Sequence, residues 1–562
     1  MGQELTWEEA VAAITAAGSP FAIVETEIDR LRYRVFEHAP GSLRAVFDSG
    51  RGRGEDVCLV YEDERWSFAQ VMAKIDAFAA LLVERYGIAP GDRVAIGMRN
   101  YPEWIVAFAA ITSIGAVAVC LNAWWTGEEL EYGLEDSGAT LLVADGERAE
   151  RADPARRRLA VRVLTVRAQE ELPEGVDRLE EVLVEGASPP EVEITPESDA
   201  TIIYTSGTTG QPKGAVSTHR AVISALMAFG CRAAVNIAMQ PAEKEDERPW
   251  PTSLILALPL FHVTGLIPVM LAAFAGGIKL VMMYKWSPER ALELIERERV
   301  TIFVGVPTMS WDLLESPVFD EYDTSSLTNV AGGGAPAPPE LVRRVEQGFR
   351  RGRPSIGYGL TETNAYGPQN AGDDYLRKPR SAGRALPIME LKVTDEAGRE
   401  LPQGEVGEIW FKGPNVIRGY WNKPEAADEV IVDGWLRSGD IGRMDDEGFI
   451  YVEDRAKDMV LRAGENVYCI EVEAALYQHP AVYEAAVFGV PHERMGEEVA
   501  AAIYPKPGAR LDVEELRAFL REHIAPFKIP TSVVVRTEPL PRSAAGKILK
   551  RLLRDELVGS AS

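Results

Sequence analysis

Residues 201–214 read TIIYTSGTTGQPKG. A β-branched apolar run, Thr201–Tyr204, leads into Thr205-Ser206-Gly207-Thr208-Thr209-Gly210 and then Lys213-Gly214. Hydroxyls, glycines and a lysine directly after a strand make an anion cradle. Glycine lets backbone N–H groups approach phosphate oxygens, the hydroxyls donate, and the lysine neutralises charge. The spacing excludes a Walker A loop, which needs Gly-Lys-Ser/Thr after a four-residue gap. Composition alone also fits a polar surface loop.

Around this loop the chain alternates between helical and strand periods. Ser67-x-x-Gln70 is a capping box, and Phe68, Val71, Met72, Ile75, Phe78 and Leu82 form one apolar helix face. The run 93–98 follows as a buried strand. Thr126-x-x-Glu129 opens another helix before a strand at 139–144, and Ser287-Pro288 opens a third before a strand at 301–306. Such alternation predicts an α/β fold, with mostly parallel sheets covered by helices. From about residue 385 short antiparallel strands take over, at 391–394 and 408–411 about a turn at 395–398. After Arg455 a third regime of short helices and strands begins, nearly neutral in charge. The expected organisation is a large domain over 1–455, with a β-rich subdomain at about 385–455, and a small α+β domain over 456–562.

The whole chain has 562 residues and a net charge of −26. That acidity argues against nucleic acid or an anionic membrane as a partner. Cys58, Cys120, Cys231 and Cys469 lie far apart, with no metal-ligand spacing, and read as reduced thiols of a cytoplasmic protein. The first 20 residues lack the basic start of a signal peptide. Runs 104–121 and 255–278 are uncharged and long. Gly115 interrupts the first, while Pro259, His262, Gly265 and Pro268 interrupt the second. Each reads as strand, loop and helix inside a core, so no integral membrane segment is expected.

The loop does not stand alone. Gly357-Tyr358-Gly359-Leu360-Thr361-Glu362-Thr363, Ser438-Gly439-Asp440, Asp454-Arg455-Ala456-Lys457-Asp458 and Pro541-Arg542-Ser543-Ala544-Ala545-Gly546-Lys547 follow in order. Together these motifs resemble the signatures of the adenylate-forming enzymes: acyl-CoA synthetases, firefly-type luciferases and nonribosomal-peptide adenylation domains. The resemblance spans roughly residues 30–555.

The resemblance implies an acyl-adenylate made from a carboxylate and ATP with Mg²⁺, then acyl transfer to a thiol such as coenzyme A. It implies that Lys547 bridges the carboxylate and the α-phosphate, where two anions need positive charge between them. Glu362, with Thr205, matches the Mg²⁺ ligands, hard oxygens for a hard cation. Thr361 would touch the α-phosphate. Thr205, Ser206, Gly207, Thr208, Thr209 and Lys213 would cradle phosphate. Tyr358 would present a face to adenine, with Gly332, Gly333 and Gly334 letting backbone approach the ring. Asp440 and Arg455 would hold the ribose. His262 resembles an aromatic gate between the acyl pocket and the thiol tunnel, Lys457 the hinge of a mobile C-terminal domain, and Gly464 the glycine beside the pantetheine channel. Ala463, Ala545 and Ala215 depart from residues common in relatives, and none removes a charged or ligating group.

An amino-acid substrate would need a buried anion for its ammonium, and Phe261-His262-Val263 offers none. No carrier domain is expected after Lys547. Segments 262–265, 304–309, 332–336 and 357–364 would line the acid pocket and are mostly small or apolar. The reading is an ATP-dependent carboxylic acid–CoA ligase for a hydrophobic monocarboxylate, a medium- or long-chain fatty acid. An aryl acid–CoA ligase, an acyl-AMP ligase and a luciferase-like enzyme stay open within the family, and a homodimer is compatible with each. Outside it, the alternative is a non-catalytic nucleotide-binding protein.

Overall fold

The computed structural model of the protein describes residues 5–169, 172–205, 211–239, 250–463, 465–544 and 546–560. Two large mixed sheets form its N-terminal body. In the first, the strand order is Gly419–Tyr420, Lys213–Thr218, Asp199–Thr205, Val117–Cys120, Arg93–Gly97, Leu141–Asp145, Arg162–Val166 and Val176–Arg178. The strands from Asp199–Thr205 onward pair in parallel. The second runs Gln369–Ala371, Arg353–Gly357, Asn329–Gly333, Ile302–Gly305, Ser253–Leu256, Lys279–Met282, Val57–Tyr61 and Glu64–Ser67, parallel except at its two ends.

Alternation along the central strands explains the layering, because successive side chains point to opposite faces. Leu254 and Leu256, like Val94 and Ile96, enter one core shared by both sheets. Ile255 enters an outer cluster under helices Pro288–Glu298, Pro307–Leu314 and Pro339–Gly348. Ala95 enters another, under Gly127–Ser137. Helix Phe68–Glu84 turns its predicted face into the shared core, and both predicted capping boxes form. Helix Pro102–Ser113 is buried almost all round, as a helix between two sheets must be. Its Glu103 pairs instead with Arg167.

The uncharged runs resolve as expected into helix Pro102–Ser113 with strand Val117–Cys120, and strand Ser253–Leu256 with the helical stretch Val263–Gly276. Among the described residues, His219–Met239 is the one helix long and apolar enough to cross a membrane, and half of its apolar window is buried within the fold. The four cysteines are free and buried.

A third, antiparallel sheet holds Glu390–Thr394, Gly407–Lys412, Ile431–Val432, Trp435–Met444 and Ile450–Arg455. The β-rich stretch is not closed on itself, however. Gly419–Tyr420 leaves it to pair antiparallel with Lys213–Thr218 in the first large sheet. A fourth sheet begins at Val460–Arg462 and centres on the hairpin of Val482–His492 and Gly496–Pro505. Helices Cys469–Leu476 and Val513–Arg521 cover one face of it, and Lys550–Ser560 covers the other.

Candidate active site

Strands Asp199–Thr205 and Lys213–Thr218 form an antiparallel hairpin that sets Thr205 opposite Lys213. The Thr205 hydroxyl donates to the Lys213 carbonyl at 3.4 Å. Ser206, Gly207, Thr208 and Thr209, expected in the cradle, lie outside the described residues, as do Gly464 and Ala545. The two flanks of the loop are thus defined by sheet pairing.

Facing this hairpin is the loop after strand Arg353–Gly357. Thr361–Thr363 form a single 3₁₀ turn there. The Glu362 carboxylate accepts a 2.7 Å hydrogen bond from the Tyr420 hydroxyl. Asn364 and Ala365 take positive φ values of 53° and 63° to close the turn. Asn364 was expected to line the acid pocket. Instead it is fully buried, accepting from Ser217 at 3.0 Å and donating to the Asn415 carbonyl at 2.9 Å. Two committed hydrogen bonds make it framework.

The corner expected to hold the nucleoside is tighter. Asp440 and Arg455 are register partners on adjacent antiparallel strands, with Arg455 Nε 3.2 Å from Asp440 Oδ1. The Tyr358 hydroxyl donates to Asp440 Oδ2 at 2.6 Å, and the Tyr358 ring packs on Phe411 with centroids 5.5 Å apart. Burial raises the Asp440 carboxyl pKa against the pull of Arg455 and the tyrosine. Burial likewise raises the Tyr358 phenol well above its usual value, with Asp440 adding to the effect. The phenol therefore keeps its proton and remains the donor.

Lys547 reaches the site from the fourth sheet's unit. Its Cε would lie 3.7 Å from a Cβ at Gly334, whose φ is +75°. A Cβ at Gly546, φ +81°, would meet Val306 Cγ2 at 2.9 Å. At Gly546 the lack of a side chain lets the lysine loop approach Val306, whereas at Gly334 it is the positive φ that favours glycine. Burial, and then the Arg455 charge, lower the ammonium pKa to about 8, while Asp440 and Glu362 pull it back up. Lys547 is therefore grouped electrostatically with the two carboxylates named from sequence.

His262 caps the short turn Val263–Gly265, its Nδ1 accepting from Thr264 N–H at 3.3 Å. Burial and the Lys547 charge push its pKa down to about 3, so the ring stays neutral. Lys457 is exposed in the connection 456–459, between the last strand of the third sheet and the first of the fourth. Its pKa is lowered by partial desolvation, with Asp458 opposing. Beside it Asp454, buried, accepts from the N–H groups of Arg455 and Cys469. Burial pushes the Asp454 carboxyl up to about 6.

Sequence reading missed the residues that hold these groups. Arg542 donates to the Gly546 carbonyl at 2.9 Å and to buried Glu484 at 2.6 Å, while Ser543 Oγ accepts from Lys547 N–H at 3.2 Å. The Tyr483 hydroxyl crosses to Asp312 Oδ1 at 2.9 Å, and Asp312 Oδ2 accepts from Trp286 at 2.8 Å. Arg542 and Ser543 stand inside a recognised motif, which is the one signal that could have found them. Tyr420, Glu484 and Tyr483 carry none.

The Thr205/Lys213 hairpin, the buried Asp440 corner with Arg455 and Tyr358, and Lys547 brought from a second unit bring the expected residues to one place. The family model of the AMP-binding enzymes matches residues 46–421, and that of the AMP-binding enzyme C-terminal domain matches 471–547. A feruloyl-CoA synthase of Amycolatopsis sp is 37% identical over 469 residues, 83% of this chain and 89% of that protein. A long-chain-fatty-acid–CoA ligase of Bacillus subtilis is 32% identical over 546 residues, 92% of this chain and 94% of that one. The Bacillus subtilis o-succinylbenzoate CoA synthetase, solved with its acyl-adenylate intermediate, superposes with a TM-score of 0.76 at 31% identity, covering 92% of this chain and 98% of that chain. The chain belongs to the adenylate-forming AMP-binding enzyme family, as an AMP-forming acid–CoA ligase.

Proposed function

We propose that the protein joins a hydrophobic monocarboxylic acid to coenzyme A through an acyl-AMP intermediate. The observation that carries this reading is Lys547, set among Asp440, Glu362, Arg455 and the Gly334 turn. In the first step the acid's carboxylate oxygen attacks the α-phosphorus of ATP and the bond to pyrophosphate breaks. Lys547 stabilises the charge gathering between the two anions, and Thr361 contacts the α-phosphate. Asp440 orients the ribose hydroxyls beside Arg455, and Tyr358 with Gly333 and Gly334 flanks the adenine. Thr205, Lys213 and the loop between them take the outgoing phosphates. In the second step the thiolate sulfur attacks the acyl carbon and AMP leaves.

Glu362 and Thr205 supply an all-oxygen donor set, which fits Mg²⁺. Tyr420 occupies one Glu362 oxygen, and among the described residues the other has no hydrogen-bond donor. These residues would hold the ion, which neutralises phosphate charge when bound. Residues 1–455 act as the acid- and ATP-binding domain. Residues 456–562 act as the mobile domain that carries Lys547, turning about Lys457, with His262 gating the thiol path past Gly464. Buried, unpaired thiols support a cytoplasmic location.

The small and apolar segments at 304–309 and 332–336 support a hydrophobic acid. The relatives named above include both a feruloyl-CoA synthase and a long-chain-fatty-acid–CoA ligase, so an aryl acid is the second reading, favoured by the identity to the former. Pyrophosphate release and thioester formation, measured over fatty acids of graded length and over cinnamic and benzoic acids, test the proposal. Medium- or long-chain fatty acids are expected to give the highest kcat/KM. Preference for the aromatic set would select the second reading, and no release with any acid would defeat both.

A further inference from the structure

The segment 415–423 lies in the β-rich stretch of the sequence, yet it works as a strap across the nucleotide site. Its backbone bonds to both sides of that site. Ile417 N–H donates to the Glu362 carbonyl at 2.9 Å, Arg418 N–H to the Val216 carbonyl at 2.9 Å, and Trp421 N–H to the Gly214 carbonyl at 2.8 Å. Arg418 also pairs with Asp199, at the start of the strand that leads into the phosphate loop, at 2.8 Å. The strand pairing sets Tyr420 opposite Ala215, two residues from Lys213.

From that position one side chain reaches two groups. The phenol O–H meets Glu362 Oε1 at 2.7 Å, and the Lys213 ammonium sits 5.2 Å from the ring centroid. The first distance is that of a charge-assisted O–H···O⁻ bond. The second is within cation–π range. A carboxylate's last torsion is broad and nearly free. A hydrogen bond to one oxygen selects one orientation and presents the other oxygen to whatever lies in the site. The same ring holds the lysine at the far flank of the phosphate loop.

We propose that Tyr420 is a positioning residue for adenylation, its hydroxyl orienting the Glu362 carboxylate and its ring seating the Lys213 ammonium, so that one side chain couples the cation side of the site to its phosphate side. This rests on the roles given above to Glu362 and Lys213. It goes beyond them in assigning a residue outside every motif of the sequence.

The test compares Tyr420→Phe, which keeps the ring and removes the hydroxyl, with Tyr420→Leu, which removes both. Three measurements are made on the full chain: Mn²⁺ binding to the enzyme–ATP complex by electron paramagnetic resonance, ATP binding in EDTA, and each half-reaction separately. Tyr420→Phe should weaken Mn²⁺ binding about 10- to 100-fold, the usual effect of losing a ligand's outer partner. It should slow acyl-AMP formation and leave ATP binding in EDTA unchanged. Tyr420→Leu should in addition weaken ATP binding in EDTA about two- to fivefold. Thioester formation from preformed acyl-AMP should persist in both. In a Glu362→Gln background, Tyr420→Phe should add nothing. Mn²⁺ affinity within twofold of the parent in Tyr420→Phe, beside a clear loss in Glu362→Gln, would overturn the hydroxyl's role alone. A silent Glu362→Gln would overturn the reading of Glu362 itself and the hydroxyl's role with it. Equal loss of both half-reactions with a lowered Tm would mean that Tyr420 is packing.

Discussion

The Asp440 corner, proposed to hold the nucleoside, and the lysine loop meet but are built differently. Asp440, Arg455 and Tyr358 belong to one body, where strand register sets the first two side by side and burial leaves Asp440 only 3% exposed. Lys547 sits on a loop of another unit, held by Arg542 and Ser543. Among the described residues its unit touches the first body through polar contacts that include Tyr483 to Asp312, Lys506 to Glu315 and Cys469 N–H to Asp454. On the proposed mechanism the difference has a use: the rigid corner would keep the nucleotide in place through both half-reactions. The loop carrying Lys547, on a separate unit, would deliver its charge for the first step and withdraw for the second.

The comparison breaks most sharply at the lysine. Lys547→Ala should cut acyl-AMP formation roughly 10²–10³-fold, the typical effect of removing one preorganised charge-stabilising donor. ATP binding, and thioester formation from preformed acyl-AMP, should persist. Stopped-time assays of each half-reaction check this, and near-normal pyrophosphate release would remove Lys547 from the chemistry. Its lowered pKa adds a pH signature. The ammonium is charged below about pH 8 and neutral above it. The kcat/KM for ATP, which reports the free enzyme, should therefore fall as pH rises through about 8. The residual activity of Lys547→Ala should lack that limb.

A second intervention acts on the connection. Proline at 457 would hold φ near −65° and remove an N–H, within the four-residue link between the third and fourth sheets. Lys457→Pro should retain single-turnover acyl-AMP formation and lose most thioester formation, about tenfold or more, the reverse of the lysine variant. Equal losses in both steps, measured on one folded preparation, would refute a pivot at this residue.

The smallest effect sharpens the comparison at the docking face. Tyr483→Phe removes one cross-unit hydrogen bond and keeps the ring. A single such bond is worth about 0.5–1.5 kcal/mol, so acyl-AMP formation should slow about two- to tenfold, with the thioester step unchanged or faster. Slowing of both steps alike would show that Tyr483 serves its own unit only.

Much of this architecture was legible in the chain. The capping boxes at Ser67 and Thr126, the Pro at the start of Pro102–Ser113 and the alternation of strand and helix are local signals, and local geometry realises them. The same holds for the motifs that contain Glu362, Asp440, Arg455 and Lys547. Helix Pro102–Ser113 shows no amphipathic face because both of its surroundings are apolar, so periodicity was silent there. Asn364 was misjudged as pocket wall for a related reason. Its polar side chain is consumed by Ser217 and Asn415, partners 147 and 51 residues away.

By itself, then, the sequence determined the fold class, the family and the order of the motifs, including the residues proposed to act on the two anions. These depend on residue type and on spacing over a few positions, where backbone geometry and side-chain chemistry leave little choice. Only the tertiary structure decided that Tyr420 lies between Glu362 and Lys213, that Glu484 steadies Arg542 and that Tyr483 meets Asp312. Those contacts join residues up to 207 positions apart or lying on separate sheets. Strand pairing and domain docking create such neighbours through the burial of whole surfaces, and no local pattern records which side chains that burial will bring together.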